Sequence, residues 1–263
     1  MAETGIFQAL LVTTAAGLST AIGSVMGLYS RRPSASFIGF SLGFSAGIMV
    51  LVAFGELLPT AVAVPALGFV GAYGAFFAGM MTYFLIDLVI PHEYIGQHDH
   101  AVVVSGDAGT HSLEGLEKTG LLVMLGITIH NFPEGMATFV GAMEDLRVGV
   151  ALGIAIAIHN IPEGLAISAP VYFASGSRKK AFLWSLSSGI SEIAGALLAA
   201  AFLMPFLSET VMGITLACVA GIMVAISLDE LIPVAKTLDS EHGPILGVIT
   251  GMMVMAIGLY LLK

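Results

Sequence analysis

The sequence predicts an all-α integral membrane protein with eight transmembrane helices, inverted internal repeats and both termini outside. The 263-residue chain is 57% hydrophobic and 10% charged, whereas a soluble domain carries about 25% charged residues. Its mean hydropathy is +0.97, and apolar runs long enough to cross a bilayer recur along the chain. Related segments within these runs indicate internal repeats.

Eight spans follow from the helix length that crosses the hydrocarbon core, about 20 apolar residues each. They cover residues 5–29, 36–59, 66–90, 119–142, 147–172, 181–205, 211–235 and 243–262. The long polar stretch 91–118 is interpreted as a cytoplasmic loop that contains histidines. The chain is therefore predicted to be a single polytopic membrane domain over residues 1–263.

The positive charges predict the orientation, because Lys and Arg are enriched in cytoplasmic loops. The loops that follow odd-numbered spans carry seven of them, namely Arg31, Arg32, Lys118, Arg178, Lys179, Lys180 and Lys236. The opposite side carries Arg147 and Lys263. Both termini are therefore expected on the outer side.

Two copies of a six-residue motif lie inside spans 4 and 5. They read His-Asn-Phe-Pro-Glu-Gly at 130–135 and His-Asn-Ile-Pro-Glu-Gly at 159–164. In each copy the His and the Glu are four residues apart, so they share one face of a helix. Ionisable groups in a membrane helix cost about 2.5–3.5 kcal/mol each on insertion scales. Such groups persist when they pair, line a wet cavity or hold an ion.

Internal similarity relates two pairs of spans. Span 4 matches span 5 around the motif at an offset of 29 residues, and segment 46–59 of span 2 matches segment 220–233 of span 7 at 8 of 14 positions. The two members of each pair run in opposite directions across the membrane. Inverted repeats of this kind are typical of transporters whose site lies near the midplane at discontinuous helices.

The motif residues offer nitrogen and oxygen ligands without a thiolate. The candidate metal ligands are His130, Asn131, Glu134, His159, Asn160, Glu163 and the intramembrane acid Glu192 of span 6. This ligand set suits Zn(II), Fe(II), Co(II) and Mn(II) and disfavours Cu(I). The single cysteine, Cys218, lies in an apolar run and is expected to be a packing residue.

Two weaker groups of polar residues remain open to two interpretations. The loop residues His92, Glu93, His98, Asp99, His100 and His111 form either a metal-collecting or regulatory segment or an ordinary solvated loop. The acids near span ends, Glu56, Asp87, Asp229 and Glu230, are either entry and exit ligands or common interfacial carboxylates.

The paired motifs resemble those of the ZIP (Zrt/Irt-like protein) family of divalent-metal transporters, and the chain is most similar to its bacterial ZupT type. The resemblance covers essentially the whole chain. It implies uptake of zinc, iron, cobalt, manganese and cadmium into the cytoplasm, across the inner membrane of a bacterial cell. It also implies that spans 1, 4, 5 and 6 move as a unit against spans 2, 3, 7 and 8.

Carried over by position, the family's ligands give two neighbouring metal sites. The first would use His130, Glu134, His159 and Glu163. The second would use Asn131, Glu134, Asn160, Glu163 and Glu192, so that the acids of the motif bridge both sites. His159 makes the first site richer in nitrogen than in relatives that lack a histidine there.

Two other functions stay open from the residues alone. One is a proton-coupled carrier of another substrate, with the His and Glu side chains as a proton relay. The other is an intramembrane metallohydrolase, although no separate catalytic base stands out. The transporter interpretation predicts no enzymatic activity and no resident cofactor, because the metal is the substrate. Its expected partners are divalent metal ions and membrane lipid, without nucleic acid, and a homodimer is left open.

Overall fold

The computed structural model describes residues 2–29, 34–89, 110–206, 208–238 and 241–262, and within them the chain is helical with no β-strand. Ten α-helices lie in these ranges. They are α1 Ala2–Tyr29, α2 Ala35–Val52, α3 Leu58–Ala63, α4 Gly68–Val89, α5 Thr110–Glu144, α6 Leu146–Ser175, α7 Arg178–Leu198, α8 Glu209–Ile226, α9 Ile232–Leu238 and α10 Gly243–Leu262. The all-α prediction is confirmed.

Seven helical segments of the described residues are long and apolar enough to cross a bilayer. The remaining long helix there, α5, carries the first motif. It begins at Thr110, nine residues before the predicted start of span 4, so the end of the predicted loop 91–118 is helical instead. The physical reason is helix propensity, because the polar residues 112–118 include Leu, Glu and Lys, which favour helix without being apolar enough to signal a span.

Large apolar side chains cover the outside of the molecule. Val70 on α4 is 84% exposed and Tyr260 on α10 is 81% exposed, and Phe7 on α1 and Phe202 after α7 are also exposed. A soluble protein rarely presents so much contiguous apolar surface. The exposed apolar side chains on several outer helices are those expected of a surface that faces lipid.

The helices pack as two bundles. The inner bundle, defined here as α1, α5, α6 and α7, contains both motifs and is held by the pairs α1–α6, α5–α6, α5–α7 and α1–α7. The second bundle, defined as α2, α3, α4, α8, α9 and α10, is held chiefly by the pairs α2–α10 and α4–α8. The two bundles meet where α2 packs on α6 and α5 packs on α8.

The same helix contacts occur twice in the molecule, once in each set of related helices. α1 packs on α6 as α7 packs on α5, and α2 packs on α10 as α8 packs on α4. This symmetry pairs α5 with α6 and α2 with α8, which are the helices that share sequence. The internal similarity in the sequence therefore has a counterpart in the packing.

The interruptions of the helices lie at widened turns and not at the motif prolines. α2 continues into α3 through the π-turn Ala53–Leu57, and α8 continues into α9 through the equivalent π-turn Ser227–Leu231. Each π-turn stands two residues before a proline, Pro59 or Pro233. A proline has no N–H and clashes with the carbonyl four residues back, so the preceding turn widens.

The motif helices themselves are continuous, which corrects the expectation of discontinuous helices at the site. α5 runs unbroken through Pro133 and α6 runs unbroken through Pro162. Each proline removes one backbone hydrogen bond, but the flanking turns keep theirs, so the helix is retained.

Glycines allow the helices of the inner bundle to touch backbone to backbone, and four of them lie at equivalent crossings. A methyl group on any of them would collide with a carbonyl oxygen of the facing helix. The contacts are Gly164 with Thr20, Gly23 with Ile161, Gly135 with Glu192 and Gly195 with Phe132. The first two contacts join α1 to α6, and the last two are their counterparts between α7 and α5. Small residues at such crossings are typical of closely packed membrane helices.

Candidate metal centre

Polar side chains converge in the middle of the inner bundle, where the two motifs face each other. Every one of them is fully buried: Asn131, Glu134, His159, Asn160, Glu163 and Glu192. His130 lies on α5, but its side chain falls outside the described part of the structure. Six of the seven predicted ligands are therefore placed with their side chains in one buried region of the fold.

The two motifs contact each other directly through an imidazole and a carboxylate. The Nε2 atom of His159 on α6 lies 3.1 Å from Oε2 of Glu134 on α5, and both side chains are fully buried. The second carboxylate oxygen, Glu134 Oε1, has no hydrogen-bond partner in the described residues. Because a carboxylate accepts several hydrogen bonds or ligates a cation, this oxygen is available to a ligand.

The two motif asparagines are held in equivalent ways. Asn160 Nδ2 donates to the Ala16 carbonyl at 3.1 Å and to Glu192 Oε2 at 2.7 Å. Asn131 Nδ2 donates to the Ser188 carbonyl at 3.3 Å and to Ser188 Oγ at 3.2 Å. Each amide therefore uses its N–H groups on the neighbouring helices and keeps its oxygen as an acceptor.

Ser45 brings the second bundle into the site. Its hydroxyl lies 3.0 Å from the His159 carbonyl and 3.1 Å from Glu163 Oε1, so its one proton is shared between two acceptors on α6. Sequence reasoning missed this residue. A serine in an apolar span does not by itself indicate a ligand or a contact, and only the packing of α2 on α6 reveals its role.

Buried oxygens without a hydrogen-bond partner accumulate here. Among the described residues they include Asn131 Oδ1, Glu134 Oε1, Asn160 Oδ1 and Glu192 Oε1, together with the hydroxyls of Thr20 and Ser24 on α1. A buried polar atom left unsatisfied costs about 1–3 kcal/mol, and folded proteins satisfy nearly all of them. Several such oxygens in one bundle fit a bound cation.

The predicted four-ligand site is not fully assembled in the described residues. There, no group of three or more His, Cys, Asp or Glu side chains is close enough to hold a metal ion. Glu134 meets His159, whereas Glu163 meets Ser45 and Glu192 meets Asn160. Each of the three acids is therefore held by a different side chain.

The acids near the span ends lie in the second bundle. Glu56 belongs to the π-turn Ala53–Leu57 and Glu230 to the π-turn Ser227–Leu231, and Asp229 accepts from the Tyr83 hydroxyl at 3.4 Å. The loop residues His92, Glu93, His98, Asp99 and His100 lie outside the described residues. His111 is in the first turn of α5, and its side chain is likewise not described.

A family model and curated relatives match this chain. The model of the ZIP zinc transporter domain matches residues 91–258, which include both motifs and Glu192. Proteins named zinc transporter ZupT from Enterobacter sp. strain 638 and from Escherichia coli O127:H6 are each 44% identical over 254 residues. The match covers 97% of this chain and 96% of each relative.

The chain belongs to the ZIP zinc transporter family. The family resemblance seen in the paired motifs is thereby confirmed. Membership in the ZIP family applies to the chain as a whole, because the match to these relatives extends over both helical bundles.

Proposed function

We propose that this chain is a transporter that carries zinc and similar divalent cations through the inner bundle into the cytoplasm. The observation that carries this proposal is the set of three glutamates and one histidine buried in an apolar helical bundle. The family supports it, and the similar proteins from Enterobacter and Escherichia coli are named zinc transporters. The metal is the substrate, so the chain is a transporter and not an enzyme.

The buried acids favour a divalent ion on charge alone. Glu134, Glu163 and Glu192 carry three negative charges when ionised, and their side chains are fully buried. Each charge costs about 2.5–3.5 kcal/mol on membrane insertion scales. A divalent cation offsets most of that cost, whereas a neutral organic substrate offsets none of it. The charge of the buried acids therefore favours a metal over the substrate of a general proton-coupled carrier.

We assign two neighbouring metal positions to this region. The nitrogen-rich one uses His130, Glu134, His159 and Glu163, and the oxygen-rich one uses Asn131, Glu134, Asn160, Glu163 and Glu192. The unpartnered oxygens of Asn131, Glu134, Asn160 and Glu192 support this assignment. Imidazole and carboxylate ligands suit zinc, iron, cobalt and manganese, and cadmium belongs to the same expected range.

We expect an ion at these positions to compete with existing contacts. It would compete with His159 for the Glu134 carboxylate and with Ser45 for the Glu163 carboxylate. Because Ser45 belongs to the second bundle, metal binding at Glu163 releases a polar contact between the bundles. That release is consistent with the two bundles moving against each other during transport.

The membrane arrangement completes the proposal. We place eight spans in a bacterial inner membrane, with both termini outside and segment 91–118 reaching into the cytoplasm. The apolar side chains exposed on α4 and α10 then contact lipid. A homodimer is compatible with these exposed faces.

Uptake of labelled zinc into proteoliposomes tests the function. The wild-type chain should accumulate zinc, and Glu134→Gln and Glu163→Gln should each lose uptake, because each acid serves both positions. Glu209→Gln is the matched control, since Glu209 is an exposed acid at the start of α8. Wild-type accumulation by Glu163→Gln at equal reconstitution would refute the shared site. No zinc accumulation by the wild-type chain would refute the function.

A further inference from the structure

Thr20 is a buried hydroxyl beside the proposed metal region that the ligand assignment does not use. It lies on α1, its side chain is fully buried, and Oγ1 has no hydrogen-bond partner in the described residues. A threonine inside a helix commonly donates to the carbonyl one turn back. Thr13, two turns earlier on α1, does so by donating to Ala9 at 3.0 Å. Thr20 does not make the equivalent hydrogen bond, so its hydroxyl can bind another partner.

The contacts around Thr20 place it at the metal region. Its carbonyl touches Gly164, the residue that follows Glu163 in the motif, and its Cβ approaches Gly189 of α7. One turn before Thr20, the Ala16 carbonyl accepts from Asn160. Thr20 therefore lies on the part of α1 that packs against both α6 and α7 at the motif.

The internal symmetry identifies what Thr20 corresponds to. Position 20 on α1 is the counterpart of position 192 on α7. The carbonyl of Thr20 contacts Gly164 of one motif, and the carbonyl of Glu192 contacts Gly135 of the other. The hydrogen bond from Asn160 to Ala16 has its counterpart in that from Asn131 to Ser188. Under the same symmetry, the pair of Asn160 with Glu192 corresponds to Asn131 with Thr20.

The two sides of this symmetric arrangement differ chemically. On one side Asn160 donates to the Glu192 carboxylate at 2.7 Å. On the other side Asn131 Oδ1 and Thr20 Oγ1 are both buried without a partner. A threonine side chain is two bonds shorter than a glutamate side chain, so its hydroxyl stops short of the position that a carboxylate would reach. A water bound to a cation is a natural bridge across that gap.

We propose that Thr20 is a further residue of the oxygen-rich metal position, where its hydroxyl and the Asn131 amide oxygen hold a water bound to the divalent cation. Under the internal symmetry Thr20 on α1 takes the position that Glu192 has on α7. It supplies a neutral oxygen where symmetry would place a fourth acid, which limits the negative charge of the region. This inference deepens the proposed transport function and rests on it.

Binding of Mn(II) and of Zn(II) to the purified full chain tests the inference. Mn(II) prefers oxygen ligands and reports the oxygen-rich position, whereas imidazole ligands favour Zn(II). The change is Thr20→Val, which removes the hydroxyl at nearly constant shape, with Thr20→Ser as the variant that restores the oxygen. Thr13→Val is the matched control, because it removes a buried hydroxyl from the same helix that is satisfied within that helix. The melting temperature without metal checks folding of each variant.

Thr20→Val should weaken Mn(II) binding by about 10- to 100-fold, the range seen when a partner of a metal ligand is removed. The tightest Zn(II) affinity should stay within about threefold. Thr20→Ser should recover most of the Mn(II) affinity, and Thr13→Val should match the wild type for both ions. If Thr20→Val does not fold, Thr20→Ala is measured by the same criteria.

Three results would overturn the inference. Equal Mn(II) affinity in Thr20→Val and Thr13→Val would remove Thr20 from the site and leave the transport function intact. Equal weakening in both variants would show an effect of packing. A wild-type chain that binds neither ion would refute the proposed function, and the inference with it.

Discussion

Ser45 is the residue through which the second bundle holds the metal region. Its hydroxyl stabilises the Glu163 carboxylate before metal arrives, and a hydrogen bond to a charged group contributes about 1.5–3 kcal/mol. Ser45→Ala should therefore destabilise the metal-free protein and tighten Zn(II) binding, by up to about tenfold. Isothermal titration together with the melting temperature measures both effects. Weaker Zn(II) binding in Ser45→Ala would show instead that Ser45 orients Glu163 for the ion.

Glu144 at the end of α5 gives a test that depends on pH. Partial burial, followed by the nearby charges of Glu209 and Asp145, raises the pKa of Glu144 above its ordinary value. Because the pKa of Glu144 is higher in the folded protein than the value near 4.3 in the unfolded chain, this carboxyl group stabilises the fold at pH values below the unfolded pKa. The stabilisation is lost as the pH rises through the folded pKa. Glu144→Gln should therefore raise the melting temperature at pH 7.5, and the gain should vanish near pH 4. A lower melting temperature at pH 7.5 would contradict this reading.

The sequence predicted the candidate ligands of the motifs, which the structure brings into one buried region where their side chains are described, but not the partners of these residues. Helical spacing alone places His159 with Glu163 and repeats the pattern in the other motif. The contacts of Ser45 with Glu163 and of Asn160 with Ala16 join residues more than a hundred positions apart. A single hydroxyl or a backbone carbonyl carries no pattern in an apolar span, so such partners appear only when the helices are packed.

At the scale of the helix, the close glycine crossings should be sensitive points of the inner bundle. A methyl group at Gly23 would collide with the Ile161 carbonyl next to the second motif, whereas one at Gly74 on α4 would meet no atom within 4 Å. Gly23→Ala should cost about 1–3 kcal/mol through overpacking. Gly74→Ala should be neutral or stabilising, because alanine favours helix. Melting temperatures of the two variants measure the difference, and an equally stable Gly23→Ala protein would contradict the packing.

Hydropathy predicted the helices better than their interruptions. The long apolar runs predicted long helices, which the structure contains, because the bilayer fixes the length of an apolar helix. The π-turns before Pro59 and Pro233 were missed, although the repeat that contains both prolines was found. A proline signals a disturbed helix, but whether the helix kinks, ends or widens depends on the neighbours that take up the freed carbonyls.

At the scale of the whole molecule, orientation in the membrane is open to a direct test. Asp145 and Ser177 both cap the start of a helix, α6 and α7, and each accepts one backbone N–H. Cysteines at these positions, introduced into Cys218→Ser protein, therefore carry matched structural costs of about 1 kcal/mol. An impermeant thiol reagent added outside intact cells should label Asp145→Cys and spare Ser177→Cys. The reverse pattern would invert the proposed topology.

The two-bundle arrangement was implied by the family resemblance and not by the spacing of residues. The pairing of α1, α5, α6 and α7 apart from α2, α4, α8 and α10 is now visible in the packing. Nothing along the chain predicts it, because every span is apolar and lipid does not discriminate among apolar surfaces. The small residues at the crossings decide which helices approach closely, and their partners are known only from the fold.

Anomalous scattering at the zinc edge from crystals grown with zinc tests the central claim most directly. The ion should appear inside the inner bundle, with carboxylate oxygens of Glu134 and Glu163 and Nε2 of His159 at about 2.0–2.2 Å. The Ser45 hydroxyl should no longer be bonded to Glu163 in that structure. Zinc density confined to the surface or to the segment 91–118, with Glu134 still paired to His159, would contradict the account.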